Sequence, residues 1–328
     1  MFLITESTDI ASKTSKNIFT YTIKVRNSVD DLNKIFERAE VNVNVFVDSI
    51  FNSYDTNKQQ DEKYNLQYTQ SVDGLVKSIL SNSPGVDGAW FQINADLPFS
   101  IHAYNWYQFK DEQFINVKDQ FNEDGSADRK ITPESDPYYF DAINNQKTTW
   151  SDIYVDPDTK TAMMTVSSPI NKEGKLIGVV GIDISTDNLK QALIDMQSSL
   201  GNSELLLLDK NDNLILSRLP DGSELTKGKP EFLELFKQNK NEPVEYSENT
   251  VKKIAILLTL SNDYKIVIAV EERDIFKGLN RIINTIYILI TLLIVATAAV
   301  LIPQIKGKKD HAPENEDESH PQDETPQE

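Results

Sequence analysis

Cysteine is absent from this chain of 328 residues, which excludes disulfides, thiolate metal sites and cysteine nucleophiles. Histidine is scarce as well: His311 and His320 lie close to the C-terminus, so only His102 is left for the folded part. One histidine cannot form a histidine-rich zinc site, and we expect no metal and no cofactor. Lys and Arg number 33 against 51 Asp and Glu, and this net charge of −18 argues against a nucleic-acid partner.

Charge is missing altogether from one long run, Ile282 to Ile302. A helix of this length crosses a hydrocarbon core of about 30 Å, so the run predicts one transmembrane helix in the lipid bilayer of the cell membrane. A buried core helix is the alternative interpretation. The basic cluster Lys306, Lys308 and Lys309 follows the run and predicts a cytoplasmic C-terminus, with the preceding domain outside the cytoplasm.

The two ends of the chain carry little apolar sequence. Residues 1–27 lack the apolar region of about 7 to 15 residues that a signal peptide needs. We interpret this segment as the remnant after a missing first membrane helix; an unusual orientation is the alternative. Residues 303–328 are predicted to be a disordered cytoplasmic tail, because Asp310 to Glu328 hold eight acidic residues and no Lys or Arg.

Apolar periodicity predicts a long helix over residues 28–54. Its stripe steps by four and three residues: Leu32, Phe36, Ala39, Val43, Phe46 and Ile50. Ser28 and Asp31 resemble a capping box at its start. A second helical segment is predicted over 66–81, and it ends before Ser83-Pro84-Gly85.

After residue 85 the apolar residues follow the alternating pattern of β-strands instead of the helical one. Strands are predicted at 88–94, 99–109, 150–156, 162–170, 175–185, 204–211, 214–218, 251–260 and 264–272, with helices at 138–145 and 186–200. Strands 162–170 and 175–185 should form a hairpin, since a short turn with Gly joins them. The order predicts an α+β fold, in which a larger antiparallel unit (28–185, including the long helix) precedes a smaller one (186–275).

The run from Tyr138 to Ser185 resembles the core of the double Cache family, the extracytoplasmic sensor domains of bacterial chemoreceptors and sensor histidine kinases. The matching features are Trp150 and Tyr154 in W-x-x-x-Y, a strand that ends in Ser-Ser-Pro, and the segment GVVGIDIS. The resemblance covers roughly residues 30–275. It implies two PAS-like antiparallel sheets along a long N-terminal helix, with a small-molecule ligand bound in the membrane-distal unit and one membrane helix behind the second.

The resemblance also implies where the ligand binds. Amino-acid-binding members carry an Arg-x-Trp-Tyr motif, whose Arg holds the ligand carboxylate, and a strand aspartate that accepts from the ligand ammonium. Here Asp136 stands in place of that Arg, Tyr138 and Tyr139 keep the aromatic character, and Asp183 matches the strand aspartate. Two acids and an aromatic wall favour a small amine or another cationic or polar ligand. The alternative for Asp136 is a solvent-facing residue in a loop.

Further aromatic residues are candidates for the same pocket. Trp150 and Tyr154 are four residues apart on a predicted strand and should face one side, with Tyr154 in the pocket and Trp150 in its wall or in the core. Tyr104 and Trp106 share a face, which is either pocket or core. His102 has the same parity and is interpreted as a polar residue at the rim.

Three glycines mark the segment GKLIGVVGIDIS, residues 174–185. Their spacing fits neither a dinucleotide-binding motif nor a P-loop, so a phosphate loop is excluded. Val179, Gly181 and Asp183 alternate onto one face of the strand, and the small Gly181 should leave room for a ligand beside the acid. We therefore interpret this segment as the floor of the pocket.

The sequence thus predicts a membrane-anchored sensor, not an enzyme, that relays ligand binding in signal transduction or chemotaxis. Its output domain is absent from the chain, so a separate cytoplasmic signalling protein is an expected partner, and so is a homodimer through the long helix. The alternatives are a ligand-capturing membrane protein with a separate partner, or a fragment of a split receptor. A hydrolase with Asp152 and Asp156 as paired carboxylates is disfavoured, because those acids fit a turn.

Overall fold

A computed structural model describes residues 2–121, 130–225, 234, 236–237, 242–275 and 288–294, with side chains from residue 18 onward except at residues 120 and 121. The helices are α1 (Phe2–Ser53), α2 (Glu62–Ser71), α3 (Asp73–Ser81), α4 (Val117–Phe121), α5 (Pro137–Asn145) and α6 (Thr186–Leu200). The strands are β1 (Gly88–Ile93), β2 (Tyr104–Lys110), β3 (Gln113–Asn116), β4 (Thr149–Trp150), β5 (Tyr154–Val155), β6 (Ala162–Lys172), β7 (Lys175–Ser185), β8 (Ser203–Leu208), β9 (Leu214–Arg218), β10 (Val244–Glu248), β11 (Val251–Thr259) and β12 (Lys265–Glu271).

Helix α1 is the longest element, with 52 residues. All six residues of the predicted stripe are buried to 3% exposure or less, so this prediction is confirmed. The predicted start is wrong, because α1 runs through Ser28 without a break, and residues 2–27 belong to the same helix as the rest. Ser28 therefore cannot act as an N-cap; its hydroxyl contacts the hydroxyl of Ser199 on α6 at 2.8 Å.

The first sheet has seven strands in the order β3-β2-β1-β7-β6-β4, with β5 also paired to β6. The predicted hairpin is confirmed as β6 and β7. Its turn is tighter than expected, since only Glu173 and Gly174 lie between the strands and both have positive φ, 53° and 75°. That backbone matches the twist of a two-residue hairpin and explains the glycine.

The two faces of this sheet have different partners. Val180, Ile182 and Ile184 of β7 join the α1 stripe in the main hydrophobic core. Val179 lies on the other face and packs with Tyr139 and Ala142 of α5. The alternation along β7 thus separates a core face from a face that α5 only partly covers.

Residues 150–156 do not form the single strand that was predicted. Two short pairings, β4 and β5, flank an irregular stretch from Ser151 to Ile153. This stretch changes the side-chain parity, so Trp150 and Tyr154 face opposite sides of the sheet and the prediction that they share one side is wrong. Trp150 packs edge-on against Phe36 of α1, with ring centroids 5.5 Å apart.

The second sheet follows α6 and has the order β10-β11-β12-β8-β9. Helix α6 has the predicted bounds, whereas the strand predicted over 204–211 ends at Leu208, because Asp209 forms a turn with Asn211 and Asn213. The short elements β3, β10 and α4 were not predicted. Both sheets belong to one compact unit, Met1–Ile275, and the Tyr264 hydroxyl joins them by donating to the Ser151 carbonyl at 3.3 Å.

Most of the predicted membrane helix, 282–302, and the whole predicted tail beyond it lie outside the described residues. Ile288 to Ile294 are described, and they are helical with exposed side chains. Within the described ranges, no helix combines the length and apolar character that a membrane crossing needs.

The buried stripe of α1 should respond to truncation far more than its outer face. We expect Val43→Ala to lower the free energy of unfolding by about 2 kcal/mol, because it leaves a cavity in a fully buried position. The matched control Val45→Ala, at a side chain that is 48% exposed on the same helix, should change it by less than about 0.5 kcal/mol. Urea unfolding followed by circular dichroism measures both, and equal effects would contradict the packing described above.

Candidate functional site

A cavity lies on the sheet face opposite α1, between the strands and α5. It holds about 570 Å³ of empty space, including its open mouth. Its described lining is rich in aromatic rings and carboxylates: Trp90, Phe91, Gln92, Tyr104, Asn105, Trp106, Ile131, Asp136, Tyr138, Tyr139, Tyr154, Asp156, Asp158 and Asp183. Seven of the eight predicted site residues are in this set, and Trp150 is not.

Asp183 lies near the C-terminal end of β7 and is 2% exposed. Its Oδ1 accepts hydrogen bonds from Trp90 Nε1 at 3.0 Å and from Thr165 Oγ1 at 2.8 Å. Burial raises the pKa of Asp183 to about 7, although these two hydrogen bonds oppose the shift. No donor contacts Asp183 Oδ2 among the described residues, so this oxygen is available to a ligand.

The space beside Asp183 is filled by a side chain of the protein itself. A Cβ atom on Gly181 would lie 2.2 Å from Cζ2 of Trp90, so the indole of Trp90 occupies the position that a larger residue would take. The expectation that Gly181 leaves room for a ligand is therefore wrong. The glycine instead allows Trp90 to lie across the sheet and to hold the Asp183 carboxylate in place.

Asp136 is fully buried at the start of α5, which contradicts the solvent-facing alternative. Its Oδ2 accepts from the backbone N–H of Thr132 at 3.1 Å and from the Ser135 hydroxyl at 2.5 Å. Its Oδ1 accepts from the Tyr138 hydroxyl at 2.9 Å. Asp136 thus adds negative charge to the cavity wall while these donors hold its carboxylate.

Three tyrosines contribute to the wall in different ways. Tyr138 and Tyr154 have ring centroids 4.8 Å apart, and Tyr138 also meets Trp90 at 5.3 Å. Burial raises the pKa of both hydroxyls well above the usual value, so they stay neutral. The Tyr154 hydroxyl pairs with that of Thr165 at 2.7 Å, whereas Tyr139 is 1% exposed and its hydroxyl accepts from the Ala95 N–H.

Tyr104 and Trp106 share the cavity face of β2, as their parity predicted. Trp150 is on the core side, and its indole N–H lies 3.5 Å from Glu40 of α1. His102 precedes β2, is exposed and does not line the cavity.

Sequence reasoning missed two important lining residues. Trp90 was assigned only to a strand next to the candidates, although its indole holds Asp183. Asp156 was interpreted as a turn residue; it does bind its own turn through Oδ1, which accepts from Asp158 and Thr159, yet it is 1% exposed and lines the cavity. The signal for Asp156 was the turn PDT itself, which fixes the carboxylate. Asp152, its suggested hydrolytic partner, is exposed and lies 3.3 Å from Lys210.

Acidic side chains predominate over basic ones among the described residues of the cavity lining. Four carboxylates line the cavity, from Asp136, Asp156, Asp158 and Asp183, and none of the described lining residues is a lysine or an arginine. Burial is the main cause of the raised pKa of Asp183, and the nearby carboxylate of Asp156 contributes to it. In the part of the chain that the structure describes, no cluster of acids and histidines has the arrangement of a metal site.

Comparison with known families identifies the first sheet unit. Residues 72–191 match the family model described as "Methyl-accepting chemotaxis protein-like, first PDC sensor domain". This segment includes every residue of the cavity lining. No curated protein matches the chain. The resemblance to sensor domains of the Cache type is thus confirmed for residues 72–191, which are similar to the first PDC sensor domain of chemotaxis proteins.

Solved structures share the fold over a longer part of the chain. The ligand-binding domain of the Campylobacter jejuni chemoreceptor Tlp3, in complex with 4-methylisoleucine, is 16% identical with a TM-score of 0.59, over 80% of this chain and 93% of that one. The Tlp3 sensory domain with isoleucine bound is 15% identical with a TM-score of 0.54, over 83% of this chain and 98% of that one. The extracellular domain of the putative histidine kinase soHK1S-Z6 is 15% identical with a TM-score of 0.55, over 83% of this chain and 99% of that one.

Proposed function

We propose that this chain, which carries a PDC-type sensor domain across residues 72–191, is an extracytoplasmic sensor that binds a small amine cation in the cavity beside Asp183. The observation that supports this most directly is the cavity lining, which combines the buried carboxylates of Asp156 and Asp183 with aromatic rings. Aromatic faces and carboxylates both attract cations, and the attraction is strongest where water is excluded.

The free oxygens of the site match the donors of an ammonium group. Asp183 Oδ2 has no donor among the described residues, and the described donors to Asp156 all reach its Oδ1. An ammonium group has up to three N–H donors and no acceptor. It can therefore bind Asp183 Oδ2 without displacing the hydrogen bonds that Trp90 and Thr165 donate to Oδ1.

A zwitterionic amino acid fits this cavity less well. Its ammonium group would find the same acceptors, but its carboxylate would face Asp136 where the amino-acid-binding members of the family have an arginine. Asp136 cannot offer that carboxylate the paired N–H donors that an arginine would. Tlp3 was crystallised with isoleucine and related amino acids, so we propose that this chain differs from it in ligand charge.

A short route leads from Asp183 to the second sheet. Ser185, two residues further along β7, caps α6 by accepting from the Asn188 N–H, while Asp87 accepts from the backbone N–H of Ser185. At the far end of α6, Gln197 donates to the Ser203 carbonyl at the start of β8. We propose that ligand binding alters this connection and that the predicted membrane segment 282–302 passes the change to a separate signalling protein. The ligand must then bind two conformations with different affinities.

Calorimetry tests the charge preference of the cavity. n-Butylamine and L-valine are titrated separately into the full chain at pH 8, where Asp183 is ionised. We expect n-butylamine to bind with a saturable heat signal and L-valine to give none. Binding of valine without binding of butylamine would contradict it.

The affinity for amines should depend on pH through Asp183. Burial raises the pKa of Asp183 to about 7 in the ligand-free chain, and a cation binds the ionised carboxylate, so binding below pH 7 requires loss of a proton. We expect the Kd for butylamine to rise about tenfold per pH unit below about 7 and to level off above it. Asp187→Asn, an exposed neighbour on α6, is the matched control and should keep this profile. A Kd that is constant from pH 5.5 to 8 would contradict the assignment.

A further inference from the structure

Two tryptophans lie side by side on the cavity face of the sheet. Trp90 on β1 is directly opposite Trp106 on β2, and it is also opposite Gly181 on β7. Gly88 occupies the next position on this face of β1 and is opposite Asp183. Both indoles lean over a glycine: Trp90 over Gly181, and Trp106 over Gly88.

The two indole N–H groups have different surroundings. Nε1 of Trp90 donates to Asp183 Oδ1, whereas Nε1 of Trp106 is buried and has no acceptor among the described residues. A Cβ atom on Gly88 would be 3.1 Å from Trp106 Nε1 and 2.7 Å from Asp183 Oδ2. The free donor and the free acceptor therefore lie within 3.1 Å of one point, on the same wall of the cavity.

A buried N–H without an acceptor is unfavourable, and a ligand that supplies the acceptor removes this cost on binding. The acceptor must lie close to the ammonium group in the ligand, because Trp106 Nε1 lies close to Asp183 Oδ2. It must also be uncharged, since an anionic acceptor at Trp106 Nε1 would lie close to the carboxylate of Asp183.

We propose that the ligand is an amine with a neutral hydrogen-bond acceptor beside its ammonium group, as in an amino alcohol, an amino ether or an amino amide. The ammonium binds Asp183 Oδ2, and the ether, hydroxyl or carbonyl oxygen accepts from Trp106 Nε1. Trp106 is then the residue that distinguishes such ligands from plain alkylamines. This assignment rests on the proposed function, because it takes the ammonium contact with Asp183 as given.

The experiment compares two amines of nearly equal shape, 2-methoxyethylamine and n-butylamine, in which an ether oxygen replaces one methylene group. Both are titrated calorimetrically into the full chain and into Trp106→Phe, which keeps an aromatic ring and removes the N–H. The wild-type chain should bind the methoxy compound about tenfold more tightly, as expected for one buried hydrogen bond. Trp106→Phe should lose this preference and bind the two amines with affinities that agree within about twofold.

The outcomes separate the two proposals. Equal affinities of the wild-type chain for the two amines would overturn the role of Trp106 and leave the amine sensor standing. Binding of neither amine would overturn the proposed function, and this assignment with it. The wild-type comparison needs no variant, so it decides the question even if Trp106→Phe does not fold. A preference that persists in a folded Trp106→Phe protein would assign the acceptor contact to another group.

Discussion

Asp183→Asn should weaken the binding of n-butylamine by about 100-fold or more. Asn keeps the shape of the side chain, and its oxygen can still accept from Trp90 and Thr165, but it removes the negative charge of a carboxylate whose Oδ2 has no donor among the described residues. Loss of one partner of a buried ion pair costs about 3 kcal/mol or more, which corresponds to a factor above 100 in Kd. Calorimetry at pH 8 measures the change, and Asp187→Asn should bind butylamine as the wild type does.

Stability measurements separate lost binding from lost folding in Asp183→Asn. The pKa of Asp183 is raised on folding, so the folded chain holds a proton that the unfolded chain releases between about pH 4 and pH 7. The stability that this proton contributes is present at acid pH and is lost as the pH rises to about 7. The free energy of unfolding of Asp183→Asn at pH 8 should therefore be at least as large as that of the wild type. It should also change less with pH between about pH 4 and pH 7. A variant that is unfolded at pH 8 would contradict this account of the carboxylate.

Gly181→Ala should destabilise the fold by about 3 kcal/mol or more, an unusually large effect for one methyl group. The new Cβ would overlap the buried indole of Trp90, at 2.2 Å from Cζ2 and 2.4 Å from Cε2. Overpacking alone costs about 1 to 3 kcal/mol, and a displaced indole would also lose its hydrogen bond to the Asp183 carboxylate. Urea unfolding at pH 8 gives the free energy directly.

Gly74→Ala is the matched control for this glycine. Gly74 lies in helix α3, and a Cβ atom there would have no neighbour within 4 Å. Because alanine favours helix more than glycine does, the control should raise the stability by about 0.5 to 1 kcal/mol. If Gly181→Ala were also neutral or stabilising, Trp90 would not be held where the structure places it.

The apolar periodicity of the sequence was enough to predict the elements that bury one continuous face. The α1 stripe, the hairpin of β6 and β7 and the helix α6 were all predicted, because burial of regularly spaced residues determines their structure. The start of α1 was missed for a related reason: Ser28 and Asp31 satisfy a local capping pattern, but a helix continues through such a pattern wherever packing further along holds it. Ser28 contacts α6 within the helix instead of ending it.

The cavity depends on contacts that no local pattern contains. Strand alternation predicted that Trp150 and Tyr154 share one face of the sheet. The irregular stretch between them changes the alternation, so the two side chains lie on opposite faces. The position of Trp90 over Gly181 depends on the pairing of β1 with β7, whose residues are about 90 positions apart in sequence. Asp183 and Asp136 could be found through the family resemblance, whereas Trp90, Asp156 and the unpaired N–H of Trp106 became visible only with the fold.

The positions of the tryptophans make intrinsic fluorescence a probe of the cavity. Of its three tryptophans, Trp90 and Trp106 line the cavity, and only Trp150 lies on the other side of the sheet. Indole emission responds to a nearby carboxylate and to a change of hydrogen-bond partner. Intrinsic fluorescence can therefore follow both the ionisation of Asp183 and the arrival of a ligand without any attached dye, and Trp150→Phe would leave an emission spectrum that comes from the cavity alone.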